Sequence, residues 1–179
     1  MGVSEKIRLE HEAARLFMRA YEKIHGIQMR HIWHNEPQKP DVSCYWNGNK
    51  LDLEIAHLYA STEEAKHLLG RELTEHTRLE LEHLSLTPPD HRLLEALNRL
   101  LANKAEKRYD SVTTWLVIRN THPTWQRQDF EARCHYINLP ESHPFEQVWL
   151  LGDMAGESGI IRLDNQVENQ EITNKTARF

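Results

Sequence analysis

The dipeptide Asn47-Gly48, inside the stretch KPDVSCYWNGNKLDLEIAHLY (residues 39–59), constrains this chain more than any other feature. Asn-Gly between two runs of alternating side chains is the strongest short-range signal for a hairpin closed by a two-residue type I′ turn, because both turn positions need positive φ. With Asn47 and Gly48 as the loop, the register follows by arithmetic. Trp46 faces Asn49, Tyr45 faces Lys50, Ser43 faces Asp52, and Asp41 falls opposite Glu54. Strand alternation then sorts the side chains. Val42, Cys44, Trp46, Leu51, Leu53 and Ile55 make an apolar face, while Asp41, Ser43, Tyr45, Lys50, Asp52, Glu54 and Ala56 make the other.

That second face needs a physical account. Like charges directly across a strand pair are destabilising, since their Cβ atoms are only about 4.5–5.5 Å apart. Asp41 and Glu54 are placed that way, with Asp52 two residues from Glu54 on the same side. A hard divalent cation held by carboxylate oxygens would relieve the repulsion. The plain alternative is a solvated hairpin face with its acids splayed into water.

A first helix is expected over residues 4–24, where Ala13, Ala14, Phe17, Ala20, Tyr21 and Ile24 recur at helical spacing between an N-cap at Ser4 and a stop at Gly26. Glu10 lies three, four and seven residues before members of that stripe, so it is on the buried side and wants a partner. Glu12 shares its face with Arg15 and Arg19 and reads as solvated. Residues 27–34 read as a strand leading to the hairpin. His31 and His34 raise a zinc hypothesis, which is disfavoured: the twelve histidines are scattered, there is no HExxH pair, and residues three apart on a strand point to opposite faces. His57 shares the face of Leu53 and Ile55 and reads as a core or rim histidine.

Ser61-Thr62-Glu63-Glu64 is a capping box opening a helical stretch that reaches about Leu84. Thr87-Pro88-Pro89-Asp90 breaks the chain and starts a helix to about Tyr109, with Leu94, Leu97, Leu101 and Ala105 as its seam. Lys104 comes after Leu97, Leu100 and Leu101 by seven, four and three residues, at the edge of the inward face. Its plain role is to cover apolar surface with its stem. Residues 113–118, TTWLVI, form a near-continuous apolar run, the mark of a strand buried on both faces. A helix is expected over 124–135, a loop over 140–144, a buried strand at 148–151 and an edge strand at 159–163.

A net charge of −5 argues against a generally basic nucleic-acid coat, so any such contact needs a local patch. Cys44 and Cys134 cannot build a disulfide framework, and no apolar run near Met1 suits a signal peptide or membrane span, so a cytoplasmic protein is expected. The Met-Gly start is no myristoylation signal, since Lys6 replaces the Ser or Thr of that pattern.

Pro40-Asp41 entering the second strand, Glu54 in LDLEIA on the third, and the helix ending NKAEKRY followed by TTWLVI and later FEQVWLL together resemble the core of the PD-(D/E)xK nuclease superfamily. Restriction endonucleases and Holliday-junction resolvases belong to it. The resemblance implies an α/β fold: a restriction-endonuclease-like core with a central mixed sheet of about four to six strands flanked by helices. It implies one domain over residues 1–164, with a helical insertion near 61–86 and a polar tail at 165–179. It further implies that Asp41 and Glu54 bind one or two divalent ions, Mg2+ or Mn2+, with the Ile55 carbonyl as a further ligand. Glu10 resembles the acid that many members add from the first helix. The family lysine belongs two residues after the acid, where this chain has Ala56. Some members relocate it to the following helix, and Lys104 has the facing for that role. The implied activity is metal-dependent phosphodiester hydrolysis by Asp41, Glu54 and Lys104, with DNA as partner, no membrane, and a homodimer as an open option. Two alternatives stand beside it. One is an inactive binding or regulatory module of defence or mobile-element biology, and the other is a metal hydrolase with a substrate other than nucleic acid.

Overall fold

The computed structural model describes residues 2–37, 39–59 and 89–164. The expected insertion at 61–86, its capping box and the tail at 165–179 lie outside the described residues. Within them the chain is α/β, with one mixed six-stranded sheet in the order β1 to β6 flanked by helices. In chain order the elements are α1 (Gly2–His25), β1 (Met29–His34), β2 (Val42–Trp46), β3 (Asn49–Leu58), α2 (Pro89–Ala105) and β4 (Thr114–Asn120). After them come α3 (Arg127–Glu131), a 3-10 turn (Cys134–Tyr136), β5 (Gln147–Leu151) and β6 (Ile160–Arg162).

Each helix covers a sheet face because its apolar stripe has nowhere else to go. On one side Ala13, Ala14, Phe17 and Tyr21 of α1 pack with Val42, Cys44, Leu51, Leu53, Ile55, Trp115, Val117 and Trp149. On the other, Leu94, Leu97, Leu101 and Ala105 of α2, with Phe130 of α3, pack with Ala56, Leu58, Leu116, Ile118, Val148 and Leu150. The strand from the TTWLVI run, β4, is parallel to both neighbours and buried along its whole length.

The hairpin folds as its turn dictates. Asn47 and Gly48 have φ of 47° and 81°, and the ladder pairs Trp46 with Asn49, Tyr45 with Lys50 and Ser43 with Asp52. Gly26, at φ 67°, lies just past the end of α1. The expected helix over 124–135 shortens to α3 and the 3-10 turn, after which Ile137 is extended and Asn98 of α2 pins the chain on either side of it. Its Nδ2 donates to the Tyr136 carbonyl at 3.0 Å and its Oδ1 accepts from the Asn138 N–H at 2.8 Å. Likewise α2 stops at Ala105 rather than near Tyr109, and the chain turns back towards β4.

Two irregularities shape the hairpin end of the sheet. The β2–β3 ladder ends at the pair Val42 and Leu53, whereas β3 continues beside β4 as far as Leu58 and Asn120. Residues 54–58 therefore have a strand neighbour on one side only. Secondly, β1 bulges between Arg30 and Trp33, with His31 at φ 54°. A non-glycine residue held there costs on the order of 1–3 kcal/mol, which the surrounding structure must offset.

Leu97 is fully buried at the α2 seam, and truncating it leaves a cavity. Leu97→Ala is expected to lose about 2–5 kcal/mol in a urea denaturation. Ile24→Ala, at a side chain 59% exposed, should stay within about 0.5 kcal/mol of the parent.

Candidate active site

The early end of the β2 ladder leaves the Ile55 N–H of β3 without a strand partner, and Asp41 supplies one. Its Oδ2 accepts that N–H at 2.9 Å, while its own carbonyl accepts the Asn35 N–H at 3.0 Å. Asp41 thus sits just ahead of β2 instead of in a ladder pair with Glu54, and a backbone donor holds its carboxylate beside Glu54. The repulsion expected from direct pairing is partly met by that hydrogen bond.

Glu54 is only 7% exposed. Lys104 reaches it from the last turn of α2, with Nζ 2.8 Å from Oε1. Burial pushes the Glu54 carboxyl up, Lys104 opposes that rise and Asp41 adds to it. The facing argued for Lys104 from helical spacing therefore brings it onto the acid. Ala56, where the lysine of the resembled pattern would stand, is buried in the apolar cluster beneath α2. A small side chain there lets α2 pack down, and Lys104 arrives from that helix instead.

Glu10 is 3% exposed on α1. Lys6 Nζ lies 3.5 Å from its Oε1 and His34 Nδ1 lies 3.8 Å from its Oε2, yet Oε2 is buried with no hydrogen-bond partner. Burial first, then the charge of Asp41 and more weakly that of Glu54, raise its carboxyl to about 7 against the pull of Lys6. Glu10 thus shares an electrostatic neighbourhood with the two hairpin acids, although it comes from the helix on the opposite sheet face.

The structure adds residues that spacing did not single out. The Tyr109 hydroxyl is buried beside Glu54, and burial, then the charges of Glu54 and Asp41 and the nearby Glu54 carboxylate, push its ionisation up, so it stays a neutral phenol. No periodic signal marks Tyr109, because it lies beyond the end of α2. Asp52, flagged by the hairpin register, is already engaged. Its Oδ1 accepts from Ser43 Oγ and its Oδ2 from Ser111 Oγ at 2.6 Å, while Asn35 Nδ2 donates to Ser43 Oγ at 2.6 Å. Ser43, Asp52 and Glu54 are buried, so this part of the hairpin's polar face is not solvated.

Glu12 and the histidines also find definite places. Glu12 is exposed but pairs with the buried Arg119, with Oε1 and Nη2 3.3 Å apart, so it is more than a solvated acid. Burial, with Arg119 nearby, lowers His57 to about 4, which makes it a neutral histidine of the interior as its face implied. His34 lies against His11 with ring centroids 5.7 Å apart, whereas His31 meets Tyr45.

Among the described residues, no three His, Cys, Asp or Glu side chains stand together as a ready metal-binding group. The donor chemistry nonetheless suits a hard cation: Glu10 has a bare buried oxygen, and Asp41 and Glu54 lie in its electrostatic field. No family model matches the chain, and no curated protein or solved structure does.

Glu10→Gln tests whether this acid is held at a cost to stability. With the folded carboxyl near 7 and the free value at 4.5, the folded state keeps a proton that the unfolded chain gives up between those values. Wild-type stability therefore falls as pH rises through that window. Urea denaturation in chelator-treated buffer should show Glu10→Gln more stable by about 2–3 kcal/mol near pH 8, the gain shrinking to nothing near pH 4.5. Equal stabilities at both pH values would remove the claim of a strained carboxyl.

Proposed function

We propose that this chain is a divalent-metal-dependent phosphodiesterase with a PD-(D/E)xK-like, restriction-endonuclease-like core, acting on DNA. The observation that carries the reading is the 2.8 Å contact of Lys104 with Glu54, beside an Asp41 fixed by the Ile55 N–H. An acid pair and a lysine from three separate parts of the chain meet where the β2 ladder ends, and the charges of both acids act on Glu10. Asp41 and Glu54 would hold the ion, and Glu10 would offer the third carboxylate. A magnesium or manganese ion supplies Lewis-acid stabilisation of phosphoryl charge and acidifies a bound water. Lys104 opposes the rise that burial gives the Glu54 carboxyl and presents a cation where negative charge grows. Tyr109, held neutral, offers a hydroxyl donor at the same place.

A second reading, a binding or regulatory module that keeps this scaffold without the chemistry, is favoured by one feature. Lys104 occupies a Glu54 oxygen that a metal would need. No helix among the described residues is long and apolar enough to cross a membrane, and Cys44 and Cys134 are free thiols. A cytoplasmic setting is part of the proposal.

Cleavage of plasmid and single-stranded DNA with Mg2+ or Mn2+ separates the readings. Asp41→Asn and Glu54→Gln are each expected to lower the rate about 1000-fold or more, and Lys104→Met about 100-fold, as for removal of a group that stabilises transition-state charge. Calorimetry should show metal binding that needs Asp41 and Glu54 but survives Lys104→Met. Variants that cleave as well as wild type would end the catalytic reading, and metal binding indifferent to both acids would favour the module.

A further inference from the structure

The bulge in β1 decides which side chains face outward near the site. Before it, Met29 pairs with Trp46 and Arg30 with Tyr45; after it, Trp33 pairs with Ser43 and His34 with Val42. Three steps along β1 thus match two along β2, and the alternation switches. Without the extra residue Trp33 would share the inward face of Met29. With it, Trp33 shares the outward face of Tyr45, while His34 turns to α1, where it meets His11 and Glu10.

Three rings consequently gather on the outer face. The Trp33 and Tyr45 centroids are 5.5 Å apart at 50°, and His31 lies edge-on to Tyr45 at 6.1 Å. Tyr45 is 41% exposed, His31 is exposed and Trp33 half-buried. Lys50, also exposed, stands directly across from Tyr45. Along this face the sheet leads from Tyr45 and Lys50 past Ser43 and Asp52 to Glu54, four residues of β3 or about 13 Å. A strained left-handed His31 that turns an indole towards solvent is a device kept at a cost, and it lies on the face that carries the acids.

We propose that Trp33 and Tyr45, with His31 and Lys50, form a stacking platform for unpaired bases of single-stranded DNA whose backbone leads to Asp41 and Glu54. This rests on the phosphodiesterase reading and names its substrate class. Bases inside a duplex are already stacked, so exposed rings reward only unpaired ones. The charge balance points the same way. Among the described residues of this face, Arg30 is paired with Glu22 and Lys50 lies 3.7 Å from Asp52, so in a chain of net charge −5 stacking supplies affinity that these cations do not.

The test uses the 179-residue chain carrying Asp41→Asn, a change expected to stop cutting and leave binding to be measured. Fluorescence anisotropy measures its affinity for a labelled single strand of about a dozen nucleotides, the blunt duplex of that sequence and the matching RNA. The single strand is expected to bind at least about tenfold tighter than the duplex. Tyr45→Ala and Trp33→Ala should each weaken it by about tenfold, with Tyr45→Phe close to the parent. Circular dichroism checks the fold, and Tyr45→Ala, at an exposed position, decides the matter if Trp33→Ala does not fold. The platform is overturned by equal duplex and single-strand affinity, by an indifferent Tyr45→Ala, by tighter binding of RNA, by no oligonucleotide binding at all, or by Tyr45→Ala merely splitting a dimer. Cleavage by wild type, run in parallel, keeps the two ideas apart. Cutting without a Tyr45 effect leaves the chemistry and removes the platform. Tyr45-dependent binding without cutting keeps the platform and removes the chemistry.

Discussion

The hydrogen bond from the Ile55 N–H to the Asp41 carboxylate is the contact around which the candidate site is arranged. A central strand must satisfy its backbone on both sides, and β3 outlasts β2 by several residues. A side-chain carboxylate fills the missing position at 2.9 Å. The result is an acid fixed at the mouth of the hairpin, next to the Glu54 that the same strand carries. Backbone accounting, more than any attraction between the two acids, brings them together.

Charge burial is a consequence of that arrangement. Glu54 sits under α2, and Lys104 is the cation that makes its burial tolerable. Glu10 has weaker help: Lys6 at 3.5 Å is largely in water, and one oxygen of Glu10 bonds to nothing. A domain built for stability alone would place a neutral side chain there, because a buried acid with an idle oxygen loses more solvation than a loose ion pair returns. By contrast Asp52, satisfied by Ser43 and Ser111, belongs to the framework that fixes the hairpin against the segment leading into β4. The geometry thus separates Asp52, with both oxygens satisfied, from Glu10, with one oxygen idle.

Much of this was legible in the chain. The hairpin register came from Asn47-Gly48 and a side-chain period of two, and it agrees with the ladder at every pair down to Ser43 and Asp52. The seam Leu94, Leu97, Leu101 and Ala105, the two-sided burial of TTWLVI, and the facing of Glu10 and Lys104 came from periodicity, which is set by local geometry. The partner of Lys104 was not in the periodicity, for a helical face shows where a side chain points and not what awaits it. The end of the β2 ladder and the parity switch at His31 were likewise hidden, since neither an unpaired N–H nor a bulge leaves a mark in an alternating pattern.

The sequence by itself determined the hairpin with its two faces, the buried strand TTWLVI and the helical faces on which Glu10 and Lys104 lie, because turn chemistry and hydrophobic periodicity act over a few residues. Only the tertiary structure decided that Asp41 caps Ile55, that Lys104 closes on Glu54 across fifty residues of chain, that Tyr109 and His34 join the acids, and that Trp33 turns outward. Those outcomes depend on backbone groups and charges that distant segments must satisfy once the sheet has formed.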